Sequence, residues 1–238
     1  MMPTLHASGL SAVRPSLPPS GAATFRSKFL GLDENVNRLI LTPLGSVLSA
    51  LSGPDRGSGL WPSGLVRDVP IVQGPQGRAI TDAIFNLPTG SQVIFLGLAG
   101  GLRPPAAVGK WISVGRVWSD GQAYDCSLES PPSLDIVTGA TIGSLTESWA
   151  STASLAEQAD VVDMETSHVY ETANICGIRV LSLLLVSDEP PHRPFWETDL
   201  QSLNARVASL IDVIDPWLAG SSLNASTNRA RLADGGNG

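Results

Sequence analysis

A chain of 238 residues, 42% hydrophobic and 16% charged, holds enough apolar material for one α/β domain with a large core. A net charge of −7 argues against nucleic acid as a partner, and no apolar run reaches the roughly 18 residues of a membrane span. Two cysteines, Cys126 and Cys176, are too few for a disulfide framework or a zinc site, so reduced thiols in a cytoplasmic protein are expected.

Residues 1–35 are rich in Ser, Pro, Gly and Ala, carry no acid before Asp33, and read as a disordered tail. A basic, Ser-rich, acid-free tail is also the pattern of a transit peptide, so an organellar location stands as the alternative. The folded domain is expected over residues 36–218. Its first strand, Arg38–Thr42, is broken by Pro43, and Val47–Leu51 opens a helix. A Gly/Ser/Pro-rich loop over Ser52–Ser63 leads to a strand over Leu65–Val72 and a turn at Gly74–Gly77. Ala79, Ile80, Ala83 and Ile84 mark the next helix, and Val93–Leu96 is a buried strand entering the glycine-rich turn Gly97–Gly101. Lys110–Trp118 alternates polar and apolar residues and Leu134–Thr138 is a further strand. Leu203, Val207, Leu210 and Ile214 form a last amphipathic helix, and residues 219–238 read as a second disordered tail. Strands alternating with helices predict an α/β fold, a three-layer sandwich with a mixed central sheet.

The most informative stretch is Val161–Pro190. Val169, Ala173 and Cys176 give a helix one apolar face, and Gly177 follows where a helix end favours positive φ. Ile178–Val186 is apolar except for Ser182, as in a strand buried on both faces. Ligands of open parallel sheets collect beyond the carboxyl ends of strands, which is where Ser187 and Asp188 fall. Glu165, near the start of the preceding helix, can bring a second carboxylate to the same pocket. The plainer alternative is that Glu165 caps its own helix and Asp188 caps a loop. Glycines in the Gly97–Gly101 turn let a backbone pass close to a flat ligand or to another segment; a tight turn alone also accounts for them. No dinucleotide or P-loop pattern and no His/Asp/Glu cluster at ligand spacing is present, so neither a cofactor nor a metal is expected.

The tetrapeptide Asp163–Thr166 (DMET), followed by Ser187–Pro190 (SDEP), resembles the paired signature of the nucleoside phosphorylase/nucleosidase superfamily. Gln92–Val117 is similar to that family's strand, Gly-rich turn and next strand, and the likeness spans about Asn37 to Leu218. The resemblance implies a nucleoside phosphorylase-like fold, a homo-oligomer, and cleavage of the N-glycosidic bond of a purine-type nucleoside. It makes Asp188 the catalytic acid serving the purine N7. Glu165 binds the ribose hydroxyls with Met164 packed on the sugar, and Ala99, Gly100 and Ser187 complete the binding site. The co-substrate is water or phosphate. Hexameric phosphorylases hold phosphate with an Arg and a Ser or Thr where this chain has Phe95 and Leu98, which favours hydrolysis. Nucleosidases use a Glu after the first strand to position water, whereas TPLGSVLSAL here has no carboxylate. Thr42, Ser46, Asp82, Glu189, backbone or a partner subunit are left to hold the water. The alternatives are a phosphorylase or a catalytically silent nucleoside-binding domain. His168 is expected to be a partly buried structural histidine, and His192 with Arg193 a solvated loop pair.

Overall fold

Apolar runs spaced by short helices assemble into a nine-stranded mixed sheet among the residues described by the computed structural model, which are 19–52, 57–144, 146, 153–190 and 192–219. In chain order the strands are β1 (Arg38–Thr42), β2 (Ser63–Val66), β3 (Val69–Gln73), β4 (Gln92–Gly101), β5 (Trp111–Ser119), β6 (Gln122–Asp125), β7 (Asp135–Thr141), β8 (Val161–Asp163) and β9 (Arg179–Asp188). Strand β9 pairs in parallel with β4 and antiparallel with β5. Because β4 also pairs with β8, β8 with β7 and β7 with β5, these five strands close a ring. From β4 the sheet continues as an open wing through β1, β3 and β2.

Side-chain alternation along these strands feeds two cores, one on each face. Leu39, Leu41, Val93, Phe95, Val180 and Leu184 meet α3 (Thr81–Phe85) and α4 (Thr166–Cys176) through Ala83, Ile84, Val169, Tyr170 and Ala173. Ile40, Ile94, Leu96, Leu181, Leu183 and Leu185 point the other way. There they pack on α2 (Gly45–Ser52), α5 (Leu200–Val207) and α6 (Leu210–Leu218) through Val47, Leu203, Val207, Leu210, Ile214 and Trp217. Helices therefore lie on both faces of a mixed sheet, as expected. The long apolar run of β9 is explained by its place: nine of its ten residues are buried. Gly177 ends α4 at φ 64°, and its N–H reaches Ala173 O and Asn174 O.

Four expectations are corrected. The N-terminal tail does not extend to residue 35: α1 (Pro19–Phe25) and a π turn, Arg26–Leu30, pack on the domain. Phe25 stacks on Phe29 and meets Trp61 edge-on, Leu30 is fully buried, and Arg26 donates to Asn86 O at 2.7 Å. Three anchors among small residues suffice, and composition averages them away. Residues 1–18 and 220–238 lie outside the described set. Leu65–Val72 is not one strand but the hairpin β2–β3, turned at Arg67 and Asp68 with both φ values positive. A two-residue hairpin turn favours Asn or Gly at such positions, and the chain does not supply them. The Gly97–Gly101 segment is not a turn; β4 runs through it, with a bulge between Ala99 and Gly100. Finally, the expected last amphipathic helix is two, α5 and α6, interrupted by a turn at Ala208 and Ser209, and Val161–Asp163 form β8.

One buried polar group ties the ring together. The hydroxyl of Tyr170 on α4 donates to Val114 O at 2.5 Å and accepts from Ser182 N at 3.0 Å, at the end of the β5–β9 ladder. Tyr170→Phe leaves a buried carbonyl and a buried amide unpaired. Loss of such partners costs about 1–3 kcal/mol, so urea denaturation is expected to show a destabilisation of about 2 kcal/mol.

Candidate active site

The carboxyl ends of β4 and β9 and the start of α4 border one cleft of about 110 Å³. Ala99, Gly100, Met164, Glu165, Ser187 and Asp188, the six residues expected at the site, all line it. Pro43, Leu44, Gln76, Leu98, Ile142, Asp163, Pro190 and Phe195 also contribute. A roomier cavity of about 480 Å³ lies at the other end of α4, bordered by Tyr124, Asp125, Asn174 and Arg179. Size would favour that cavity. Chemistry favours the smaller cleft, where buried carboxyl groups converge at strand ends.

The glycines of β4 are required by close approach. A Cβ on Gly100 would lie 2.6 Å from Pro190 Cγ, and one on Gly101 would lie 2.5 Å from Ala106 O. The strand can thus run under the loop after β9 and bring its backbone to the cleft. The same hypothetical Cβ on Gly100 would be 3.3 Å from Asp188 Oδ2, so that carboxyl oxygen faces the β4 backbone.

Asp188 is buried, and Ser187 Oγ donates to its Oδ1 at 2.5 Å. Burial pushes the carboxyl above the usual carboxylate range, and the Ser187 hydrogen bond opposes this. With Oδ1 engaged by a donor, a proton on Asp188 belongs on Oδ2. Thr198 Oγ1 donates to Ser187 O at 3.2 Å and fixes the end of the strand.

Glu165 does not cap its own helix. Its Oε1 accepts from Gly77 N at 2.8 Å, on the turn that precedes α3. Burial, and next the neighbouring Asp163, push the Glu165 carboxyl up to about 7, against the Gly77 and Met164 amides. The capping is done instead by Asp163, whose Oδ2 accepts from Thr166 N at 2.8 Å and Thr166 Oγ1 at 2.5 Å. Asp163 Oδ1 accepts from Thr141 Oγ1 at 3.0 Å. Burial raises Asp163 too, and these donors oppose the rise. Asp163 was not among the expected site residues. The signal was present as an Asp three residues before Thr166, the spacing of a helix N-cap.

The groups considered for holding a water fare differently. Thr42 is fully buried and accepts from Leu44 N, Ser46 and Asp82 are exposed, and Glu189 bridges to Arg193; none of the four borders the cleft. Gln76 does border it, and sequence reasoning passed over it as part of a turn. Phe95 is turned into the core, while Leu98 lines the cleft, so neither position offers an anion ligand. His168 is half-buried away from the cleft, its imidazole held below its ordinary range by burial and then by Arg78. His192 and Arg193 are exposed. Among the described residues no three His, Cys, Asp or Glu side chains gather at metal-ligand spacing, and no helix is long and apolar enough to cross a membrane.

Comparisons with known proteins bear on the fold. Residues 114–214 match the family model described as the phosphorylase superfamily. A search of curated proteins finds no match. Among solved structures, MTAN from Chlamydia trachomatis is 15% identical with a TM-score of 0.59, covering 77% of this chain and 97% of that one. AMP nucleosidase from Bacteroides thetaiotaomicron is 17% identical with a TM-score of 0.58, covering 82% and 98%. The 5′-methylthioadenosine/S-adenosyl homocysteine nucleosidase of Helicobacter pylori is 15% identical with a TM-score of 0.58, covering 76% and 98%. At these identities the structures speak for the fold, and the family model supplies the sequence link. Residues 114–214, somewhat under half of the chain, thus resemble the phosphorylase superfamily in sequence, and the solved structures share the fold of the chain.

Proposed function

We propose that the protein hydrolyses the N-glycosidic bond of a purine-type nucleoside. The observation that carries this reading is the convergence of Asp188 and Glu165 in one cleft, both buried and both with carboxyl groups displaced upward. Breaking C1′–N9 sends the bonding electrons into the base, which must be neutralised as it leaves. Asp188, holding its proton on Oδ2, delivers it to N7. Glu165 accepts hydrogen bonds from the ribose hydroxyls through the oxygen not taken by Gly77, and Met164 packs on the sugar. Water adds to C1′ of the oxocarbenium-like sugar and loses its proton to solvent, giving free base and ribose.

Hydrolysis is favoured over phosphorolysis because Phe95 and Leu98 present no anion-binding side chain, and because the neighbours in fold include nucleosidases. A silent nucleoside-binding domain is the second reading, favoured by the want of a carboxylate beside Pro43 and Leu44 at the cleft edge. Chromatography of a purine nucleoside panel, with and without phosphate, separates the readings. The expected result is free base and free ribose in phosphate-free buffer. A strict phosphate requirement, with ribose 1-phosphate as product, would move the assignment to a phosphorylase. Nucleoside binding with no cleavage would favour the silent domain.

A further inference from the structure

Glu165 stands at the start of a helix whose first amides are a strong lure for a carboxylate, yet its side chain reaches away to another element. The reason lies two residues earlier. Asp163 Oδ2 takes Thr166 N and Thr166 Oγ1 and is 3.4 Å from Glu165 N, while Thr141 Oγ1 takes Ser167 N at 2.9 Å and donates to Asp163 Oδ1. The amides of 165, 166 and 167 are therefore occupied by β7 and β8, and these three are not left to hold the Glu165 side chain. Gly77 N–H holds it instead.

We propose that Asp163 is a positioning residue for Glu165, occupying the helix cap so that the Glu165 carboxylate is presented to the cleft, and setting the local charge against which Glu165 ionises. The consequence for ribose binding rests on the proposed function; the positioning itself does not. All donors around Asp163 point at its oxygens, an arrangement built for the carboxylate form. The groups facing Glu165 are few. Among the described residues they are Asp163 from β8, Asp188 from β9 across the cleft, the Gly77 amide from the turn before α3 and the Met164 amide. Arg78 on that turn is exposed and acts on His168. A negative Asp163 beside Glu165 raises the latter's hold on its proton.

Two variants of Asp163 separate charge from capping. Asp163→Asn keeps the shape and one acceptor for Thr166 but removes the charge. Followed by carbon NMR of the Glu165 carboxyl, assigned with Glu165→Gln, its titration midpoint is expected to fall by about one pH unit. An unmoved midpoint overturns the charge role. Asp163→Ser keeps a capping oxygen, whereas Asp163→Ala removes it and frees the helix amides to recapture Glu165. Hydrogen exchange at the Gly77 amide is expected to quicken by about tenfold in Asp163→Ala and to stay near wild type in Asp163→Ser. Equal behaviour of the Ser and Ala variants overturns the capping role. Nucleoside affinity should follow the same order, weakened in Ala and restored in Ser. If no nucleoside binds to the wild-type protein, the proposed function fails, and the Gly77 exchange and the Glu165 titration still decide this inference. Should Asp163→Asn not fold, Asp163→Ser serves for the titration as well.

Discussion

Asp188→Asn is expected to lower nucleoside cleavage by roughly 10²–10⁴-fold, the usual contribution of a positioned general acid. The amide is nearly the same size and still accepts from Ser187 Oγ through its carbonyl oxygen, so the strand end stays in place. Its other atom is then an NH₂ group where Oδ2 stood beside Gly100. That group can donate a hydrogen bond to N7 but cannot transfer a proton to it. The loss should therefore fall on kcat, with substrate affinity changed little. The measurement is single-turnover release of base by wild-type and variant protein, alongside their melting curves. A variant of equal activity would sink the mechanism while leaving the fold untouched.

Glu165→Gln is expected to raise KM by about 10–100-fold, the range for losing hydrogen bonds to a charged acceptor, with a smaller fall in kcat. In the wild-type protein affinity should rise as pH passes about 7, where Glu165 loses its proton and becomes the better acceptor; in the variant that step should vanish. Stability should move the other way. The folded protein holds the Glu165 proton to about 7, whereas the unfolded chain releases it near the ordinary glutamate value of 4.5. Between those values the folded state binds more protons, so stability falls as pH rises through this window and stays reduced above it. Glutamine cannot ionise and keeps the acceptor for Gly77 N. The free variant should therefore be more stable than wild type at pH 8, by roughly 1–3 kcal/mol, and no more stable near pH 4.5. Melting curves at the two pH values test the sign directly. A carboxylate that weakens the fold where it is charged is what a binding group held in a dry cleft entails.

Much of this was legible in the chain itself. Local rules determined the long buried strand of β9, the helix ending at Gly177, the apolar face shared by α5 and α6, and the acids at Asp188 and Glu165, because apolar period and end signals act within a few residues. The Asp120-Gly121 pair, both with positive φ, also spelled out the β5–β6 hairpin, a signal overlooked beyond Trp118. The N-terminal helix was hidden because a few anchoring apolar residues are diluted by Ser and Ala in any composition count. Other facts are properties of contact between segments far apart in sequence, and no local pattern holds them. The closure of five strands into a ring depends on β9 pairing with both β4 and β5. The glycines of β4 read as a turn because the sequence shows their small size but not Pro190 and Ala106, the neighbours that demand it. The same holds for the two acids. The chain placed Glu165 near a helix start, where capping is the cheapest use of a carboxylate. Only the tertiary structure, by bringing Thr141 and Asp163 to the helix amides and Gly77 to Glu165, decided that Asp163 caps and Glu165 faces the cleft.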